Sequence, residues 1–137
     1  AKHGAYAVGV EMDPFLCELA RVTIKEKKLE DKISIIEGDF FNTYLGQATV
    51  VYMYLYRMIN EALSPKLEKE LKIGTRIVTI DFPIPDWIPV STGRLIDERD
   101  IIRTIFLYIV GISNPSSLIK RVNIIDYRGL LRRIPCP

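Results

Sequence analysis

The chain opens on a continuous apolar run, Ala5 to Val10, closed by Glu11. A run of that length without polar alternation fits a strand buried on both faces. Asp13 and Pro14 follow, one a residue that caps a helix and the other a residue that suits its first position. Leu16, Leu19, Ala20 and Ile24 recur at helical spacing, and Lys25, Lys27 and Lys28 gather where a helix end favours cations. Ile33 to Glu37 reads as a second strand, closed by Gly38 and Asp39. A loop carrying Phe40 and Phe41 leads to a third strand, Thr49 to Met53. The next helix is expected over Asn60 to Leu71, with Leu63, Leu67 and Leu71 on one face. Ser64-Pro65 is a point where it can restart, and Gly74 sits where a C-terminal cap belongs. Ile77 to Phe82 is the fourth strand.

The pattern then changes. Pro83, Pro85 and Pro89 forbid regular structure up to about Val90. Two strand-like runs follow, near Ser91 to Ile96 and Ile101 to Gly111, separated by Asp97-Glu98-Arg99-Asp100, which reads as a hairpin. The expectation is an α/β fold, mostly parallel, closed by an antiparallel hairpin. Arg121 to Ile125 offers one more strand. There is no internal repeat. Residues 1–112 read as one domain and 113–137 as a basic extension.

Composition narrows the class. The 137 residues are 48% hydrophobic and 26% charged, enough for one globular core. No apolar run approaches the ~20 residues needed to span a bilayer. No signal peptide is legible, and the first residue is Ala1, which points to a processed, trimmed or mis-started chain. From Ser113 onward five basic residues, Lys120, Arg121, Arg128, Arg132 and Arg133, face one acid, Asp126. The residues before them hold 14 bases and 16 acids. That tail suits an acidic partner or nucleic acid, and equally a solvated end. Cys17 and Cys136 have no metal-type spacing, and His3 is the single histidine, so no metal site is expected. Cys17 falls in an apolar helix pattern and reads as core. A reducing cytoplasm is the default compartment.

In open α/β sheets ligands bind outside the carboxyl ends of the strands. That rule selects Glu11, Asp39, Tyr54 and Asp81. An acid at one strand end suits the hydroxyls of a ribose, which fits Glu11. An acid one strand over suits an adenine amino group, which fits Asp39, with Gly38 beside it and Met12 or Phe40 packing on the base. The competing account is that Glu11 and Asp39 only cap the turns and helices that follow. Two acids spaced by one βα unit point to a nucleoside-containing cofactor.

Val8-Gly9-Val10-Glu11-Met12-Asp13, then Glu37-Gly38-Asp39-Phe40-Phe41, then Ala48 to Leu55, resemble class I S-adenosylmethionine-dependent methyltransferases. The blocks Asn60 to Leu67, Glu70 to Val78 and Asp81-Phe82 with Trp87 are similar to small archaeal protein-lysine methyltransferases, relatives of the non-SET histone-lysine methyltransferases. The resemblance covers about residues 5 to 112. It implies a Rossmann-like sheet with S-adenosylmethionine as cofactor and proteins with accessible lysines as substrate. The family also has a first strand and a glycine-rich loop that hold the cofactor's methionine end, absent here. Without that central strand, apolar sheet edges would be exposed on both neighbours. The chain is thus expected to be incomplete, or else a truncated paralogue.

The chemistry that this resemblance implies needs a neutral amine, although free lysine has a pKa of about 10.4. An apolar aromatic channel lowers that value by desolvation. Tyr52, Tyr54 and Tyr56 crowd the end of the third strand, and Tyr54 or Tyr52 could wall the channel or bond the amine. Asp81 could attract the ammonium, and Trp87 could cover the lysine's aliphatic stem. Asn60 could position the substrate or simply begin its helix. Aromatic residues near strand ends are more often core than catalytic. Two other functions stay open: methylation of RNA or a small molecule, and partner binding by a non-catalytic remnant.

Overall fold

The structure, a computed structural model, describes residues 1–116. The chain divides into two compact units, Ala1–Tyr44 and a second beginning at Leu45.

The first unit is one βαβ turn: β1 (Ala7–Glu11), α1 (Pro14–Glu26) and β2 (Ile33–Glu37). The strands pair in parallel, with Ala7 opposite Ile33 and Glu11 opposite Glu37. Asp13 is the N-cap of α1, and its carboxylate accepts the Phe15 and Leu16 N–H groups. Cys17 is buried and donates to the Glu11 carbonyl at 3.3 Å. Two apolar expectations are corrected. Val8 is 61% exposed, so β1 is not covered on both faces. Leu16 and Leu19 are also exposed, because α1 buries the side carrying Cys17, and the two leucines lie on its other flank. Among the described residues, β1 bonds only β2.

The second unit holds β3 (Val50–Met53), α2 (Arg57–Glu70), β4 (Arg76–Ile80), β5 (Ser91–Ile96) and β6 (Ile102–Ile109). Its sheet order is β3-β4-β6-β5. The β3–β4 pair is parallel across α2, and β6 runs antiparallel to both β4 and β5. The two sheets together make the architecture α/β and mixed, with parallel pairs first and the expected hairpin last. The core gathers Met53, Leu63, Leu67, Leu71, Ile77, Ile80, Ile84, Trp87, Tyr108 and Val110. The leucine stripe of α2 is therefore its buried face, as its spacing predicts.

Three boundaries differ from the sequence reading. The helix α2 begins at Arg57, a turn before Asn60, and passes through Pro65 without restarting. Its N-cap is Tyr56, whose side chain makes no capping bond, so no polar signal marks the start. It ends at Glu70 with Leu71 as its C-cap, and Gly74 serves the following turn instead, with φ +91 and its N–H bonded to the Val110 carbonyl. The strand β4 stops at Ile80 because Asp81 turns left-handed, φ +60. Beyond β6, Ser113 and Asn114 are buried and fold back: the Ile109 N–H donates to Ser113 Oγ and the Gly111 N–H to Asn114 Oδ1. The expected strand Arg121 to Ile125 and the tail's basic residues lie outside the described residues. No helix among the described residues is long and apolar enough to cross a membrane.

Candidate functional site

The residues selected at strand ends fall into two clusters, one in each unit. In the first, Glu11 and Asp39 stand at the same carboxyl end of the β1–β2 pair. The Gly38 N–H donates to the Glu11 carbonyl at 2.8 Å and carries the ladder one residue past β2. The Glu11 carboxylate turns back on its own chain. Its Oε1 accepts the Met12 N–H at 2.7 Å and the Asp13 N–H at 2.9 Å. Those two bonds fix the carboxylate and leave Oε2 without a hydrogen bond among the described residues. Asp39 heads a turn: its Oδ1 accepts the Phe41 N–H at 2.8 Å, and its Oδ2 receives Asn42 Nδ2 at 3.4 Å. Phe40 and Phe41 pack ring to ring at 5.0 Å. Met12 is exposed beside Glu11. Both acids thus have local structural work and share one end of one strand pair.

The second cluster surrounds Asp81. Its Oδ1 accepts the Thr104 N–H at 3.0 Å, and its own N–H donates to the Thr104 carbonyl at 2.7 Å. Its Oδ2 receives Arg103 Nη1 at 2.8 Å and the Tyr54 hydroxyl at 3.4 Å. Arg103 Nε reaches Asp97 Oδ2 at 2.9 Å, and the guanidinium lies 5.7 Å from the centre of the Tyr54 ring. The Thr104 N–H, followed by Arg103 and Tyr54, holds the Asp81 carboxyl below its ordinary range, although partial burial works the other way. Asp81 is therefore a charged group already neutralised in part by Arg103, which weakens it as a lone attractor for an ammonium. Tyr54 is brought to Asp81, whereas Tyr52 is exposed within β3, on the face opposite the buried Met53.

Two expected substrate contacts sit elsewhere. Trp87 is 5% exposed, meets Tyr108 edge-on at 6.1 Å, and donates Nε1–H to Ser64 Oγ at 2.7 Å. Its indole is packed in the core, which speaks against the expected cover for a lysine stem. Asn60 is fully buried inside α2, with Nδ2 donating to the Phe82 carbonyl at 3.0 Å and reaching the Pro83 carbonyl at 3.4 Å. It braces the proline-rich segment and neither begins the helix nor faces solvent. Tyr108, buried below them, accepts the Ile84 N–H at 3.0 Å. Sequence reasoning missed Arg103, Asp97 and Thr104. The available signal was a lone arginine in the apolar run Ile101 to Val110, preceded by an aspartate at the other end of the hairpin turn.

A parallel βαβ unit, an α/β crossover and a terminal antiparallel hairpin define the class I methyltransferase architecture. The solved structure of an RNA methyltransferase from Salinibacter ruber, in complex with S-adenosyl-L-homocysteine, shares it. The TM-score is 0.71 at 34% identity, covering 78% of this chain and 67% of that one. Residues 1–91 match the ANTKMT methyltransferase domain, and the chain belongs to that family. A protein-lysine N-methyltransferase from Saccharolobus islandicus (strain REY15A) is 39% identical over 105 residues, 77% of this chain and 65% of that protein. The adenine nucleotide translocase lysine N-methyltransferase of Mus musculus is 31% identical over 85 residues, 62% of this chain and 37% of the mouse protein. The chain therefore spans about two thirds of the archaeal relative's length and well under half of the mouse one's.

Proposed function

We propose that this protein transfers methyl groups from S-adenosylmethionine to lysine side-chain amines of other proteins, in the cytoplasm. Residues 1–112 form the catalytic part in this reading, with Ser113 and Asn114 packed against it, and the basic stretch toward residue 137 is an extension with no catalytic role. The observation that carries it is the pair Glu11 and Asp39 at one end of a parallel strand pair, in a chain of this family. The residues fit a nucleoside. The open Oε2 of Glu11 is an acceptor for ribose hydroxyls, and its other oxygen is pinned by two backbone N–H groups. Gly38 and Asp39 offer the neighbouring polar edge, and Met12 and Phe40 supply apolar surface for a base. When bound, the cofactor supplies an electrophilic sulfonium methyl.

The chain's own part is to bind, orient and keep the amine neutral. Tyr54 and Tyr52 offer aromatic surface that desolvates a lysine, which favours its uncharged form. The Tyr54 hydroxyl, 3.4 Å from Asp81 Oδ2, offers an oxygen to an amine N–H. Protein lysine is the favoured acceptor because the archaeal relative bears that activity in its name. RNA is the second reading, favoured by the Salinibacter ruber relative.

The test is transfer of isotope-labelled methyl by the full-length gene product into a mixed cell lysate, with protein and RNA fractions counted separately and labelled amino acids identified after hydrolysis. Labelled methyl-lysine is the expected result. Label confined to RNA, or to small molecules, would overturn the lysine reading. Absence of S-adenosylmethionine binding by calorimetry would overturn the enzyme reading altogether and leave a partner-binding remnant.

A further inference from the structure

The Asp81 cluster contains a cation, Arg103, besides the groups assigned to substrate. Arg103, near the start of β6, spans two carboxylates with one guanidinium: Nη1 on Asp81 and Nε on Asp97, at 2.8 and 2.9 Å. The three side chains are only 23–25% exposed. They tie the end of β4 to the β5–β6 hairpin, through Asp97 in its turn and Arg103 near the start of β6. The register pairs Leu95 with Arg103 and Ile96 with Ile102, so the turn carrying Asp97 closes directly over the arginine.

The arrangement over-determines Asp81. A non-glycine residue at φ +60 occupies sparsely populated backbone space and persists only where its surroundings hold it. Here both carboxylate oxygens are engaged, Oδ1 by the Thr104 N–H and Oδ2 by Arg103. The Tyr54 hydroxyl therefore meets an acceptor whose position is fixed. A tyrosine hydroxyl has one proton to donate and lone pairs that accept. With the proton directed at Asp81, what it presents to anything else is an acceptor. Tyr54 is 51% exposed, so that acceptor is reachable. A neutral amine donating N–H to it keeps its nitrogen lone pair free for attack on a methyl.

We propose that Arg103 is a positioning residue for methyl transfer: by clamping Asp81 between β6 and Asp97, it holds the Tyr54 hydroxyl as an outward-facing acceptor for the substrate amine. The proposal rests on the lysine reading above. It goes beyond that reading by assigning a residue that touches neither cofactor nor substrate. The competing account is that Arg103 only staples the hairpin.

A double-mutant cycle on the full-length protein separates the two, using labelled methyl transfer to a lysine-bearing protein substrate. Failure of the unaltered protein to methylate lysine rejects the underlying function before any variant is made. With activity present, Tyr54→Phe and Arg103→Gln are each expected to lower kcat about 10- to 100-fold, the size of effect that misplacing a reacting group produces. Affinity for S-adenosylmethionine should stay unchanged in both. Arg103→Lys, which keeps the charge, should recover part of the loss. In the Tyr54→Phe background, Arg103→Gln should cost less than about twofold further, because residues acting through one hydroxyl are not additive. A double variant whose loss equals the product of the two single losses overturns the proposal. So does Arg103→Gln with full kcat and only a lowered melting temperature. Should Arg103→Gln not fold, Asp97→Asn releases the same guanidinium from its other anchor, and the same loss of additivity with Tyr54→Phe decides the matter.

Discussion

Replacing Trp87 decides whether its indole contacts the substrate lysine or serves only the core. The indole is almost wholly buried, stands edge-on to the Tyr108 ring and donates a 2.7 Å bond to Ser64 Oγ. Truncating a buried tryptophan to alanine costs about 3–5 kcal/mol, because transfer energy and cavity add. Against the roughly 5–15 kcal/mol that holds a domain together, that is a large fraction. At a urea m-value of about 1.5 kcal/mol/M, the unfolding midpoint of Trp87→Ala should fall by about 2 M or more. Trp87→Phe keeps a ring against Tyr108 but loses the Ser64 bond and some volume, so its cost should be about 1–2 kcal/mol. Trp87 is the single tryptophan, so the variants are followed by far-UV circular dichroism rather than by fluorescence. A substrate-contacting indole predicts the reverse: an unchanged midpoint and a raised KM for the protein substrate. Observing that pair in Trp87→Ala would refute the reasoning from burial.

Two further outcomes follow from the site geometry. Glu11→Gln retains an oxygen for the Met12 and Asp13 N–H groups but removes the charge, so S-adenosylmethionine should bind about 10- to 150-fold more weakly, equivalent to about 1.5–3 kcal/mol, with the melting temperature unchanged; calorimetry that finds equal affinity removes Glu11 from the cofactor site. The Asp81 and Asp97 carboxyls are held below their ordinary range, chiefly by the Thr104 and Ile101 N–H groups respectively. The folded chain therefore binds these protons less readily than the unfolded chain, where aspartate titrates near ~3.9. Their contribution to stability is present above that value and lost as pH falls through the depressed folded values, so urea midpoints should be level between about pH 5 and 7 and decline below about pH 4. A midpoint that rises on acidification contradicts the assignment.

Much of the fold was legible because strand and helix signals are local. Val50 to Met53 and the stretch from Ile77 to Ile80 are largely apolar and pair in the expected parallel sense, and the Asp97 to Asp100 turn falls where charge interrupts two apolar stretches. What stayed hidden was decided at a distance. Pro65 carries a local signal to break a helix, yet the buried stripe of Leu63, Leu67 and Leu71 keeps α2 continuous through it. Burying that face outweighs one lost backbone bond and a crowded carbonyl. The early start at Arg57 has no capping residue to announce it. Leu16 and Leu19 have helical spacing but no covering element among the described residues, so periodicity alone assigned them to a core they do not enter.

The site divides along the same line, between what a strand end dictates and what a tertiary contact dictates. Glu11 and Asp39 could be chosen from sequence because the strand-end rule needs only the order of elements, and parallel pairing places both acids together. Trp87 and Asn60 could not be judged that way. A tryptophan among prolines looks exposed until Tyr108 and Ser64, 21 residues after it and 23 before it, close around its ring. An asparagine near a predicted helix start looks like a cap until the Phe82 and Pro83 carbonyls claim its amide. Arg103 was invisible for the opposite reason. A cation in an exposed hairpin reads as a solvated position, and only the left-handed turn at Asp81 swings a carboxylate to within 2.8 Å of it. Residues that tether distant segments carry no periodic signature, because their partners are set by the fold they help to build. Asp81 shows the consequence: its sequence position marks it as a free charge at a strand end, whereas the same position in space makes it the shared acceptor of Thr104, Arg103 and Tyr54.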